Sequence, residues 1–117
     1  WLGIEIERVE VGMVCLSMQI RAEMTNGFGI AHGGITFSLA DSALAFAANS
    51  QGRHAVSVET SISHFKPLHL NDQIRATSVE RHLGKRTAVY EIQVHRNENE
   101  LVALFRGTVY RTDKNWE

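Results

Sequence analysis

Apolar and polar positions divide this 117-residue chain into two β-like runs, one helix-like run and four further β-like runs. Residues 2–9 alternate loosely, and Val11-Gly12 turns the chain. Residues 13–20 alternate cleanly, with Val14, Leu16, Met18 and Ile20 on one face and Cys15, Ser17 and Gln19 on the other. Such alternation marks a half-buried strand, so these two runs predict a hairpin. Residues 21–31 break all periodicity, with Asn26, Gly27 and Gly29 close together, and read as a loop.

Residues 32–52, HGGITFSLADSALAFAANSQG, carry a different pattern. Ile35, Phe37, Leu39, Ala40, Ala43, Leu44, Ala45, Phe46, Ala47 and Ala48 fall on every side of a helical wheel, so no polar face stands out. A helix that is apolar all round belongs at the centre of a fold. The only ionisable side chain between His32 and Arg53 is Asp41. A carboxylate in that setting is costly unless it is paired, neutral or functional. Gly52 is placed to end the helix in a left-handed conformation.

Four runs with strand character follow. Residues 55–65 set Val56, Val58 and Ile62 against Ser57, Glu59, Ser61 and Ser63. Pro67 ends that run and Asn71-Asp72 marks a turn. Residues 73–83, 87–96 and 101–112 are the next three, separated by Leu83-Gly84-Lys85 and by a polar tip at Arg96-Asn97-Glu98-Asn99-Glu100. Such short tips require antiparallel hairpins, because a parallel return needs a dozen or more residues. The expectation is a single α+β domain over residues 1–117, with two strands, one buried helix and four strands in a meander. An antiparallel sheet of about five to six strands wrapped around one long central helix satisfies the burial requirement.

Composition narrows the function classes. The chain is 44% hydrophobic and 21% charged, as ordinary globular proteins are, with a formal net charge of -1. No global field draws it to nucleic acid or to a membrane surface. Cys15 is the only cysteine, which excludes a disulfide framework and a cysteine zinc site and points to a reducing, cytoplasmic setting. No N-terminal signal pattern is visible, and a start at Trp1 without methionine is expected of a trimmed form. Thr36, Ser38, Asp41, Ser42 and Asn49 interrupt the helical run and make it a poor membrane span.

Several motif readings fail. Gly27, Gly29 and Gly33 nearly spell a dinucleotide fingerprint, but the third glycine comes one residue late and no parallel βαβ unit surrounds it. A phosphate loop and a GxSxG elbow are both missing. The histidines at 32, 54, 64, 69, 82 and 95 lack metal-ligand spacing, and Pro67 separates the nearest pair, His64 and His69. No metal and no cofactor is expected.

Asn26, His32, Gly33 and Asp41 remain. A helix N-terminus offers unpaired N–H groups and a partial positive charge, suited to an oxyanion or a polarised carbonyl. Glycines at 33 and 34 let a substrate approach that backbone; equally, they permit a tight start to the helix. Asp41 reads as a buried cap or ion pair, or else as a general base or nucleophile with its pKa moved by burial. His32 and Asn26 read as loop residues bonded to backbone, or as groups that move a proton and hold substrate or water. Gly33 and Asp41 lie eight residues apart, about 12 Å along one helix at 1.5 Å per residue. They cannot both reach one carbonyl group within a chain, so a composite site at a symmetric dimer interface is predicted. A second cluster, Arg81-His82-Leu83-Gly84-Lys85-Arg86-Thr87, is either a solvated hairpin tip or a grip for a phosphate.

The pattern NG-x4-HGG-x6-AD, the helix ending NSQG, then VSVETSISHFKP, HLGKRT and ALFRGT, resembles the PaaI-type acyl-CoA thioesterases, over about residues 2–112. These are hotdog-fold proteins linked to phenylacetate degradation, in which one central helix is wrapped by an antiparallel sheet and chains pair into dimers, often dimers of dimers. The resemblance implies that Asp41 activates water or attacks the thioester carbonyl, and that the N–H at Gly33 polarises that carbonyl from the opposing subunit. Asn26 and His32 match loop residues beside the thioester, and Ser57 falls near a position that helps place the water. Coenzyme A contacts fall on His64, Phe65, Lys66, Pro67, Leu68 and His69, and on His82, Gly84, Lys85, Arg86 and Thr87. The function implied is hydrolysis of an acyl-CoA, of aryl- or hydroxyaryl-acetyl type, to free acid and coenzyme A by a homotetramer of composite sites. A non-catalytic acyl-CoA-binding module on the same fold is the alternative. Enoyl-thioester hydration, a third class among hotdog relatives, uses a different, histidine-based arrangement.

Overall fold

The computed structural model describes residues 2–97 and 99–115; Trp1, taken above as the start of the chain, and Glu98, at the expected hairpin tip, lie outside these. Its elements are β1 (Glu5–Glu10), β2 (Met13–Gln19), a 3₁₀ turn (Ala22–Met24), α1 (Gly33–Asn49), β3 (Arg53–His64), β4 (Gln73–Leu83), β5 (Thr87–Arg96) and β6 (Glu100–Asn115). All strand pairs are antiparallel, in the order β1-β2-β4-β5-β6-β3. One face of this six-stranded sheet packs on α1. Alternation places Val14, Leu16 and Met18 of β2, Ile74 and Ala76 of β4, Ala88, Tyr90, Ile92 and Val94 of β5, and Phe105 and Val109 of β6 in the core.

The expected four-strand meander is corrected. Only β4, β5 and β6 follow one another through tight turns; β3 crosses to the far edge and pairs with β6 along its whole length, from Arg53 opposite Asn115 to His64 opposite Ala103. Tight turns dictate the pairing of neighbours, whereas the longer, proline-containing segment 65–72 leaves β3 free to pair elsewhere.

The face assignment along β3 is also corrected. The register slips between Ser57 and Glu59, so Val58 is an extra residue in the strand. Opposed residues of an antiparallel pair share a face. Ser57 lies opposite buried Val109 and Ile62 opposite buried Phe105, on the helix side, while Val56 lies opposite exposed Tyr110 on the outer side. Period-two counting had put Val56 and Ile62 together; a bulge inverts the faces beyond it.

The helix ends near its predicted limit: Ser50 donates its N–H to the Phe46 carbonyl, and Gly52 adopts φ +96°, a conformation that costs glycine nothing. Its burial, however, is one-sided. Thr36, Leu39, Ala40, Ala43, Leu44, Ala47 and Ala48 are buried, whereas Ala45 and Phe46 are exposed and Ser38, Asp41 and Ser42 are half-buried. The expected all-round burial is not met within one chain, because the sheet covers only one side. At the closest approach a Cβ on Gly107 of β6 would fall 2.5 Å from Leu44 Cδ2, so β6 has room only for glycine beneath this leucine.

Candidate active site

The N-terminal end of α1 is assembled from two loops. Asn26 folds the first: its Oδ1 accepts the N–H groups of Phe28 (2.8 Å) and Ile30 (3.3 Å). This loop is tied to the segment after β3 through the Ala31 N–H, which donates to the Leu68 carbonyl at 2.8 Å, and through a bridge between Ile30 and His69. His32 is the N-cap, extended at φ -64° and ψ 139°, and its ring makes no cap hydrogen bond. Gly33 then begins the helix, its N–H donating to no described residue. A Cβ at this position would sit 3.3 Å from His64 Nε2. Gly33, Thr36, His64, Phe65, Lys66 and Pro67 line a pocket of about 320 Å³. Gly33 thus meets the 64–67 stretch at this pocket, while Asn26 and His32 belong to the loop leading into it and do not line it.

Asp41 lies elsewhere. It lines a smaller pocket of about 80 Å³ with Ala45, Ala48, Ala55, Ser57 and Val109, and shares no lining residue with the Gly33 pocket. The β3 bulge turns Ser57 toward it. Asp41 is half-buried, not enclosed as expected, and makes no ion pair and no side-chain hydrogen bond to any described residue. Beside it the exposed helix surface of Ser42, Ala45, Phe46 and Asn49 forms an open groove.

The two stretches matched to coenzyme A contacts stand at opposite ends of the sheet. β5 runs between them with Thr87 at one end and Arg96 at the other, about 30 Å at the usual strand rise. At the Arg96 end, its guanidinium donates to the Pro67 carbonyl (3.0 Å), Asp72 Oδ2 (3.0 Å) and both Glu100 oxygens (2.8 and 2.9 Å), and Lys66 Nζ reaches Glu100 at 3.0 Å. Arg96 and then Lys66 hold the Glu100 carboxyl down to about 2. At the Thr87 end, Gly84 donates its N–H to the Thr87 carbonyl at 2.8 Å. A Cβ on Gly84 would come within 3.0 Å of that same carbonyl oxygen and 2.9 Å of His82 Nε2, so the turn is too tight for a side chain there. Arg81 is spent on Glu91 at 2.9 Å, which lowers the Glu91 pKa. Lys85 and Arg86 are exposed and have no carboxylate partner among the described residues. Under the turn, the Tyr90 hydroxyl donates to Glu80 at 3.1 Å and accepts from Gln51 at 3.3 Å; burial pushes its pKa up to about 12.

Sequence reasoning missed the residues that brace these two stretches: Arg96, Asp72 and Glu100 at one end, Arg53 and Arg111 at the other. Arg53 and Arg111 reach their targets 32 and 27 residues away, and Arg96 reaches Asp72 and Pro67 24 and 29 residues away, so local spacing carries little of the signal. Only the Arg96–Glu100 pair, four residues apart across a hairpin, is local. Among the described residues no group of three or more His, Cys, Asp or Glu side chains is arranged to hold a metal, and no helix is long and apolar enough to cross a membrane.

A six-stranded antiparallel sheet folded over one helix, with a free helix N-terminus facing a loop pocket, defines a hotdog protein. The family profile of the thioesterase superfamily matches residues 28–103, and the chain belongs to that superfamily. Within it the kinship is with PaaI. The chain is 43% identical over 110 residues to the acyl-coenzyme A thioesterase PaaI of Escherichia coli, covering 94% of this chain and 79% of that protein. It superposes on the solved structure of E. coli PaaI, from the phenylacetic acid degradation operon, with a TM-score of 0.94 at 41% identity, over 97% of this chain and 83% of that one. The smu.793 protein of Streptococcus mutans, solved bound to acetyl CoA, matches with a TM-score of 0.92 at 27% identity, over 97% of this chain and 91% of its own. The chain is a thioester hydrolase of this type.

Proposed function

We propose that residues 1–117 form one thioesterase domain that hydrolyses an acyl-CoA of aryl- or hydroxyaryl-acetyl type in a homodimer with composite sites. The observation that carries this is the separation of Gly33 and Asp41 into two pockets, each open to solvent and each holding half of the chemistry. The Gly33 N–H, at the positive end of α1, polarises the thioester carbonyl and then holds the tetrahedral oxyanion. As general base, Asp41 of the opposing subunit takes a proton from the attacking water, and collapse of the tetrahedral intermediate expels the coenzyme A thiolate, which takes that proton back from Asp41. As nucleophile, Asp41 attacks the carbonyl itself and expels the thiolate, which is protonated by solvent, and a water then cleaves the acyl-aspartyl anhydride to free acid and regenerated Asp41. Ser57 stands beside Asp41 where it can orient the water. Asn26 shapes the loop that presents Gly33, and His32 flanks the thioester.

The dimer reading is supported by exposed apolar residues on edge strand β3 and on α1. Val56 and Val58 of edge strand β3 are 55% and 62% exposed, and Phe46 of α1 is 47% exposed. The opposite edge, β1, is guarded by Glu5, Glu7, Arg8 and Glu10, the usual defence against edge pairing. A two-fold axis that pairs β3 with its mate, antiparallel, brings the His64 end of one subunit beside the Arg53 end of the other. That places His64, Phe65, Lys66 and Pro67 near the partner turn formed by His82, Gly84, Lys85, Arg86 and Thr87, so one coenzyme A can touch both. Association of two such dimers into a homotetramer belongs to the same reading. A cytoplasmic setting rests on the free thiol of Cys15. Phenylacetate degradation rests on the kinship with PaaI.

The test is thiol release from a panel of acyl-CoAs including phenylacetyl- and hydroxyphenylacetyl-CoA. A clear preference for the arylacetyl members is expected. Preference for long aliphatic chains would overturn the substrate assignment, and binding without release across the panel would favour a ligand-binding module.

A further inference from the structure

The carbonyl oxygens of Gly84, Lys85 and Arg86, three in succession, are all bonded from beneath by two arginines of other strands. Arg111 Nη1 of β6 donates to the Gly84 oxygen at 2.6 Å, Arg53 Nη2 of β3 to the Lys85 oxygen at 2.6 Å, and the Arg111 backbone N–H to the Arg86 oxygen at 2.7 Å. Both arginines are half-buried, and neither is ion-paired with a carboxylate among the described residues. Together with Lys85 and Arg86 they concentrate four cations at one end of a chain whose net charge is only -1. A hairpin tip that served only to reverse the chain would not need two guanidinium groups. Four cations without a direct ion pair outweigh the single Glu80 carboxylate under the turn, and the excess positive charge raises the energy of the empty turn, which an arriving polyanion relieves.

We infer that Arg53 and Arg111 are positioning residues for the nucleotide end of the substrate. By drawing the turn's carbonyls inward they fix its backbone, keep the exposed Lys85 and Arg86 side chains over one spot, and add their own charge beneath it. The ligand chemistry is a phosphorylated nucleotide, the adenosine end of coenzyme A, and not the acyl or pantetheine portion. Bonds to a charged donor hold a loop more firmly than neutral ones do, so their loss frees the turn without touching the reacting atoms. The inference rests on the reading of turn 82–87 as a coenzyme A contact.

The experiment is steady-state kinetics of the full chain with an acyl-CoA and with the matching S-acyl-pantetheine, which lacks the nucleotide and its phosphates. Arg111→Gln and Arg53→Gln are each expected to raise KM for the acyl-CoA about tenfold, the scale of one lost charged hydrogen bond, while kcat and the pantetheine KM hold. An equal loss on both substrates would overturn the inference in favour of a general structural role. So would an unchanged acyl-CoA KM in these variants if Lys85→Ala and Arg86→Ala raise it. If Lys85→Ala and Arg86→Ala also leave KM unchanged, the turn is not a coenzyme A contact and that underlying reading fails first. Should Arg111→Gln not fold, Arg53→Gln carries the test alone, since its guanidinium contact is with the turn itself.

Discussion

The two faces of α1 both carry small and apolar residues and have opposite fates. One face, Leu39, Ala40, Ala43, Leu44, Ala47 and Ala48, is closed by the sheet so tightly that β6 must carry glycine at 107. The other, Asp41, Ser42, Ala45, Phe46 and Asn49, is left half-buried or exposed by the described residues and carries the one carboxylate of the helix. An apolar residue is thus no guide to what covers it. The first face makes a fold; the second is where the proposed site takes Asp41.

That contrast can be broken in four ways. The largest effect is expected from Asp41→Asn, which keeps shape and disturbs no described partner. Turnover in a thiol-release assay should fall by about 10² to 10⁴-fold, the usual contribution of a positioned base, with the thermal midpoint unchanged. Near-normal turnover would remove Asp41 from the chemistry. On the closed face, Leu44→Ala should cost about 2–5 kcal/mol in denaturant unfolding, because Leu44 is 1% exposed and packs against β6. A loss well below that range would mean the face is looser than the Gly107 contact implies. On the open face, Phe46→Ala should leave the folded chain intact but weaken self-association about tenfold in analytical ultracentrifugation, as truncating a central interface aromatic does. No change in association would move the dimer contact off the helix.

The smallest effect concerns the loop beside Gly33. Glu100, held down to about 2 from an ordinary 4.5, stabilises the fold while it is ionised. Because the folded-state value is the lower one, that stabilisation is complete above about pH 4.5 and disappears as pH falls toward 2. The difference in thermal midpoint between the natural chain and Glu100→Gln should therefore shrink across that window. A constant difference would show that Glu100 acts through packing alone.

Much of this was legible in the sequence where the chemistry is local. Alternation in β2, β4 and β5 reports a strand with one face buried, and the lone Asp41 in an apolar run announces itself. The double glycine after His32 marks a helix start with backbone to offer. Less was legible where distant segments decide. Nothing near Val56 says that β3 will pair with β6 instead of β4, or that a bulge at Val58 will turn the still exposed Ser57 to the Asp41 side. The two faces of α1 could not be separated because Ala and Phe occur on both: Phe37 packs on Phe105 in the core while Phe46 is exposed. Arg53 and Arg111 give no signal at all, since their target lies 32 and 27 residues away.

The central claim, that each site takes Gly33 from one subunit and Asp41 from the other, is tested most directly by mixing two dead chains. Asp41→Asn lacks the carboxylate. Gly33→Pro lacks the N–H at the first helical position, where the helix accepts proline and the extended His32 before it suits one, provided the His64 ring, 3.3 Å from the added Cβ, shifts by a few tenths of an ångström. Unfolded together and refolded at equal concentrations, half of the dimers should be mixed, and each mixed dimer should contain one intact site. Activity should return to about a quarter of the natural level, although neither variant is active alone. If the mixture stays as inactive as its parts while mixed dimers are shown to form, both groups act within one chain and the composite site is wrong.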